Sequence, residues 1–155
     1  MFHMKQFTSE TQKTGLVGEK IAVDFLINKG FSIIDRNYSK KIGEIDIIAK
    51  KKSIIHFFEV KTIVKRNNIV SRGTKYENNN KFKNVSRETF LNNQLYNPFD
   101  NITPHKLRKF SRTVEWYLSE KHVSRETLWQ IDAISVILDY ETRRARVEIL
   151  WNIIA

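Results

Sequence analysis

Apolar and polar positions alternate along this chain with two different periods, and each period marks a kind of element. Between Thr14 and Lys29, the pairs Leu16 and Val17, Ile21 and Ala22, and Phe25 and Leu26 recur at helical spacing. This stripe predicts a helix, with Thr14 as its N-cap and Gly30 where a helix C-terminal glycine belongs. Three strand-like segments follow: Phe31–Ser39, Glu44–Lys50 and Ile54–Thr62. They are rich in β-branched and aromatic residues, and the short KKKS between the second and third reads as a hairpin turn. Thr103-Pro104 opens a second helix to about Lys121, with proline at its favoured first position. Leu107, Phe110, Val114, Tyr117 and Leu118 form its apolar stripe. Leu128–Leu138 and Ala145–Ile153 read as two more strands.

Two stretches carry no such period. Residues 1–13 are polar and expected to fray. Residues 65–101 are rich in Asn and Lys, and they read as a long, mobile basic loop with one helical turn near Phe90–Leu95. The order is helix, three strands, basic loop, helix, two strands. It predicts an α/β protein with a mixed sheet of about five strands flanked by helices. A length of 155 residues fits one domain spanning 1–155.

Charge adds a partner to this picture. The chain has 27 Lys and Arg against 17 Asp and Glu, a formal +10 that favours polyanions: nucleic acid first, then anionic membranes or an acidic protein partner. Residues 61–88 hold eight Lys and Arg and two Glu, a local +6. Lys65, Arg66, Arg72 and Lys75 there, with Lys106 and Lys109 on the second helix, are the candidate phosphate contacts. Tyr38, Tyr76 and Phe82 lie near basic residues as candidate stacking platforms. Trp116, Trp129 and Trp151 sit in apolar patterns and are expected in the core.

Other chemistries are excluded. The chain has no cysteine, so it has no disulfide, thiolate zinc site or thiol nucleophile. This usage fits a reducing compartment and predicts a cytoplasmic protein. No apolar run approaches the roughly 18 residues of a membrane span, so no membrane partner is expected. His3, His56, His105 and His122 are scattered and form no zinc pair. Five glycines form no phosphate-cradling loop. Asp132, inside an apolar strand, reads as one half of a structural pair.

The chemistry-bearing stretch is GEIDIIAKKKSIIHFFEVK, Gly43–Lys61. Strand alternation puts Phe57, Glu59 and Lys61 on one face, with His56, Phe58 and Val60 on the other. It likewise groups Glu44, Asp46 and Ile48 against Ile45 and Ile47. Paired as a hairpin, the two strands bring Asp46 beside Glu59. Two adjacent carboxylates repel, and burying them is costly without a cation. A hard divalent ion such as Mg²⁺ or Mn²⁺ would satisfy them, because it prefers oxygen ligands and keeps several waters. Lys61 would then act on a water or on phosphate charge beside it. The alternative is a cross-strand ion cluster on an exposed face.

Asp46, a turn and then Glu59-Val60-Lys61 resemble the D…ExK signature of the PD-(D/E)XK nuclease superfamily. The ordered segments TGLVGEKIAVDFLINKGFSIIDRNY, GEIDIIAK, FFEVKT, PHKLRKF and IDAISV resemble, more narrowly, the YraN-like family of uncharacterised proteins. The resemblance runs from about Thr14 to the end, apart from residues 65–101, which are longer and richer in Asn than the family pattern. It implies a restriction-endonuclease-like core close to Holliday-junction resolvases and a Mg²⁺- or Mn²⁺-dependent endonuclease acting on DNA, branched DNA being favoured. It implies Glu19, Asp46, Glu59 and Lys61 as catalytic residues. Asp46, Glu59 and the backbone carbonyl of Val60 would be the metal ligands, and Glu44 an outer contact. Resolvases act as symmetric dimers, so a homodimer is also expected. A non-catalytic nucleic-acid-binding protein, or a basic adaptor on the same fold, is the alternative.

Overall fold

The computed structural model describes residues 9–65, 99–100 and 102–154. Helix α1 spans Glu10–Asn28 and begins earlier than the apolar stripe predicts. Ser9, not Thr14, is its N-cap: the Ser9 hydroxyl accepts from the Gln12 backbone N–H at 3.2 Å. A serine cap followed at once by the acidic Glu10 suits the positive end of a helix, so residues 9–13 join it instead of fraying. At the other end Gly30 takes a φ of +84°, a left-handed conformation that glycine adopts without steric cost, and the chain turns into the sheet.

The sheet has five strands in the order β1 (Ser32–Lys40), β2 (Gly43–Lys51), β3 (Ile54–Lys65), β4 (Trp129–Asp139) and β5 (Arg144–Leu150). Neighbours are antiparallel except β3 and β4, which run parallel in continuous register from Ile55↔Trp129 to Lys65↔Asp139. A parallel pair needs a crossover, and helix α2 (Pro104–Glu120) lies in that connection. Thr103 caps α2, accepting from the Lys106 N–H at 3.3 Å, and Pro104 opens it as predicted. The result is the predicted restriction-endonuclease-like architecture: a five-stranded mixed sheet between two helices.

Each face of the sheet carries one apolar cluster. Ala22, Val23 and Leu26 of α1 pack on Ile47, Ala49, Phe58, Ile134 and Val136. Phe110, Val114 and Tyr117 of α2 pack on Ile45, Ile48, Phe57 and Ile131. Phe57 and Phe58 are both fully buried, on opposite faces of β3. Burying one such side chain stabilises the fold by roughly 1.5–3 kcal/mol. Asp132 is fully buried and pairs structurally, as expected. Its Oδ2 lies 2.7 Å from His56 Nδ1, and its Oδ1 accepts from Gln130 Nε2 and the Asn152 N–H at 2.6 and 2.8 Å. The pair thereby ties the C-terminal segment to the sheet.

Several apolar residues lie further out than their patterns predict. Trp116 and Trp151 are 54% and 49% exposed, and Trp129 is also exposed. Trp116 projects from the solvent side of α2, while Trp129 meets the Phe57 ring edge-on and Trp151 stacks on Phe31 and meets His56 and Phe58 at an angle. Leu16 and Val17 are exposed too, because α1 reaches the sheet from Gly18 onward. Strand β5 stops at Leu150, before the predicted Ile153. The N-terminal residues 1–8 and the expected helical turn at Phe90–Leu95 lie outside the described residues. Among those described, no helix is long and apolar enough to cross a membrane.

Candidate metal and phosphodiester site

The site lies where the sheet forks. Strands β2 and β3 pair from Lys51↔Ile54 to Ile47↔Phe58, and there their ladder ends. The next positions in that register are Asp46 and Glu59. Beyond them β2 continues with β1 alone, through Ile45, Glu44 and Gly43. Meanwhile β3 continues with β4 alone, through Glu59, Val60 and Lys61. Asp46 sits in the crotch, where its Oδ2 accepts from the Val60 backbone N–H at 2.6 Å. Glu59 and Lys61 share the face of Phe57, the α2 side, and pair with each other: Lys61 Nζ donates to Glu59 Oε1 at 2.6 Å.

The alternation predicted for β2 breaks at Asp46. Ile45 and Ile48 both pack on the α2 side and Ile47 on the α1 side, so Ile45 and Ile47 do not share a face. The cause lies across the ladder in β1. There Arg36 pairs with Ile47 and Tyr38 with Ile45, and the pair between them, Asn37 and Asp46, is missing. Asn37 has a φ of +52°, the left-handed region that asparagine tolerates better than most residues. A left-handed residue inside a strand rotates the next side chain to the other face. Tyr38 therefore points to α2, where it meets the Tyr117 ring edge-on and donates a hydrogen bond to Glu120. That buries Tyr38 and removes it as a base-stacking platform; Tyr76 and Phe82 lie outside the described residues.

Glu19 arrives from α1. The docking is close at Gly18, where an added Cβ would lie 1.8 Å from Thr62 Oγ1. Only glycine lets α1 approach β3 this tightly, and the approach brings Glu19 to the fork. The Asn37 side-chain amide faces the Glu19 carboxylate and favours its charged form. Burial pushes the Glu19 pKa up, the Asn37 amide and Arg36 draw it down, and Glu44 pushes it up again.

Electrostatics single out Asp46. Burial, then repulsion from Glu59, raise its pKa from 3.8 to about 7. Glu19 adds to the rise, while the Val60 N–H and Lys61 only partly oppose it. The fork is therefore short of positive charge. Its donors are hard carboxylate oxygens, matching Mg²⁺ or Mn²⁺ and not a soft-ligand metal. Among the described residues no three Asp, Glu or His side chains form a metal-holding group. Asp46 and Glu59 remain a two-carboxylate set of the kind Mg²⁺ accepts while keeping waters. Glu44 is exposed at the rim.

The α2 face supplies cations. Gly43, where an added Cβ would lie 2.7 Å from Thr113 Oγ1, lets α2 lie close against the start of β2. Lys106 and Lys109 then line one cleft together with Glu59 and Lys61. Lys65 is at the far end of β3, with its Nζ 3.2 Å from Asp139 Oδ2. Arg66, Arg72 and Lys75 lie outside the described residues. Two positions had no signal in the spacing of charges. Asn37 hid in a strand pattern. Ser135, the register partner of Lys61, has a buried Oγ with no hydrogen-bond partner among the described residues.

Residues 18–136 match the model of the uncharacterised protein family UPF0102. The chain belongs to that family. This is the YraN-like family, whose fold is nuclease-like. A UPF0102 protein of Helicobacter pylori (strain HPAG1) is 31% identical over 150 residues, covering 97% of this chain and 98% of its own. One from Clostridium botulinum (strain Hall) is 32% identical over 138 residues, covering 89% and 90%. The UPF0102 match spans Glu19, the whole fork and α2.

Proposed function

We propose that this UPF0102 protein is a metal-dependent endonuclease that hydrolyses DNA phosphodiester bonds. The observation that carries the reading is the fork, where Asp46, Glu59 and Lys61 converge with too little positive charge to balance the acids. Asp46, Glu59 and the Val60 carbonyl would hold Mg²⁺ or Mn²⁺. Such an ion, when bound, polarises a phosphoryl oxygen and makes a water more acidic.

The chain's own groups have distinct tasks in this reading. Lys61 orients a water or neutralises charge developing on the phosphate. Glu19, steadied by Asn37, adds a carboxylate from α1. Lys106 and Lys109 hold the neighbouring phosphates. The resemblance to resolvase-like folds makes branched DNA the favoured substrate. A cleavage panel of single-stranded, duplex, flap and four-way-junction DNA, with Mg²⁺ or Mn²⁺, tests it. Metal-dependent cleavage that disappears with Asp46→Ala is expected. No cleavage of any member would favour the second reading.

That second reading is a nucleic-acid-binding protein that keeps the fold without the chemistry. The Glu59–Lys61 pair favours it, because each group already satisfies the other at 2.6 Å.

A further inference from the structure

The cleft that contains Glu59 and Lys61 extends past the fork, and the phosphodiester chemistry does not use its inner part. The whole cleft, its charged part included, holds about 160 Å³ beside β3 and under α2 and is open to solvent on one side. Its walls change character along its length. Leu107, Phe110 and Ile153 make the inner part apolar, while Lys106 and Lys109 add two ammonium groups and Glu44 one carboxylate. An apolar cavity of about 150 Å³ is large enough for one six-membered ring. An apolar slot with cations along it, opening directly from a phosphate site, complements a nucleotide: phosphate at the lysines, ring in the slot.

We infer that the cleft is a subsite for a single unpaired pyrimidine base, next to the phosphodiester held at the fork. This rests on the nuclease reading above and specifies its substrate as DNA with an unpaired nucleotide beside the cleavage position. A paired base cannot enter, because its ring is held within the duplex stack and leaving it costs a few kcal/mol. An unpaired base has already met that cost. Glu44 adds discrimination, since a carboxylate accepts from the cytosine N4 amino group and thymine has no such donor.

The test compares three DNA duplexes of one sequence: fully paired, with one extra unpaired cytosine, and with an abasic nucleotide in the cytosine's place. Binding is measured without divalent ion, so that cleavage does not consume the probe. A fluorescent cytosine analogue at the unpaired position reports entry into the slot. The unpaired-cytosine duplex should bind about tenfold more tightly than the abasic one, within the range for burying one base. Leu107→Trp, which fills the slot, should bring that ratio close to one, with thermal melting as the check on folding. Ile153→Trp, from the C-terminal segment, serves if Leu107→Trp does not fold.

Equal affinity of the wild type for the cytosine and abasic duplexes would overturn the inference. So would a tenfold ratio that persists in a folded slot-filling variant. Cleavage with a ratio of one would overturn the subsite and leave the nuclease reading standing. A tenfold ratio with no cleavage of any DNA would support the subsite and remove the nuclease reading.

Discussion

The Asp46 carboxylate takes the place of a backbone carbonyl: its Oδ2 accepts from the Val60 N–H at 2.6 Å, just where the β2–β3 ladder ends. A sheet that forks leaves backbone donors unpaired, and burying them unpaired is costly. Here a side chain closes the gap. The fork thereby acquires a half-buried negative charge, which the neighbouring Glu59 repels. Structural and chemical roles therefore meet in one group.

That double role predicts a stability gain on mutation. The folded pKa of Asp46 is raised from 3.8 to about 7, chiefly by burial. Between those values the folded protein binds a proton that the unfolded chain lacks. The favourable contribution is complete below about pH 4 and is lost as pH rises through 7. Asp46→Asn keeps an oxygen for the Val60 N–H and removes the charge. It should stabilise the metal-free protein at pH 8 by on the order of 3–4 kcal/mol, with little gain at pH 4. Urea melts at both pH values measure it. An equal effect at both would show that the charge is not buried in the folded state.

Metal should reverse the sign. An ion between Asp46 and Glu59 displaces the proton, so Mg²⁺ should stabilise the wild type more at pH 8 than at pH 6. Calorimetry should show Asp46→Ala binding Mg²⁺ or Mn²⁺ at least tenfold more weakly. Equal affinity in wild type and variant would place the ion elsewhere.

Gly18 should prove as important as the acid beside it. An added methyl group would lie 1.8 Å from Thr62 Oγ1, so α1 must move away from β3. Overpacking of this kind costs roughly 1–3 kcal/mol, more than the helix propensity that alanine gains. Gly18→Ala should lower both the melting temperature and any cleavage rate, since Glu19 moves with the helix. Adding Thr62→Gly removes every atom in the clash, and the double mutant should recover part of both losses. Purely additive effects would mean that the two residues do not meet.

The part of this site that was legible in the sequence is the part built by local rules. A hairpin with a short turn makes Asp46 and Glu59 neighbours, and a period of two puts Glu59 and Lys61 on one face. The faces around Asp46 were not legible, because they depend on the left-handed Asn37 in a different strand. Glu19 looks like a surface charge until Gly18 is seen against Thr62. The tryptophans were misplaced for a related reason: an apolar pattern marks a strand or helix but not where its neighbours end.

Asn37 offers a separate test. Its amide favours the ionised form of Glu19, against the burial that raises that carboxyl's pKa. Asn37→Gly keeps the left-handed backbone available and removes only the amide. It should fold with stability within about 1 kcal/mol of wild type, whereas Asn37→Ala should lose roughly that much or more to backbone strain. In both variants the Glu19 pKa should rise further, read by carboxyl NMR. An unchanged Glu19 titration in Asn37→Gly would show that the amide is not its partner.

The lysine decides between catalysis and binding. Lys61 stands beside Glu59 on β3, its ammonium 2.6 Å from Glu59 Oε1, in the same cleft as Lys106 and Lys109. If its task lies in the reaction, losing the charge leaves the acids in place. Lys61→Ala should then keep metal affinity and most DNA affinity, because the other cleft lysines remain. Cleavage should fall by roughly a hundredfold or more, the scale of lost electrostatic or proton-transfer help. Lys61→Met keeps the aliphatic stem and should lose cleavage equally, which separates charge from packing. The ratio of cleavage rate to DNA affinity is the discriminating measurement, since a purely structural lysine would lower both together. Wild-type cleavage rates in both variants would take Lys61 out of the reaction.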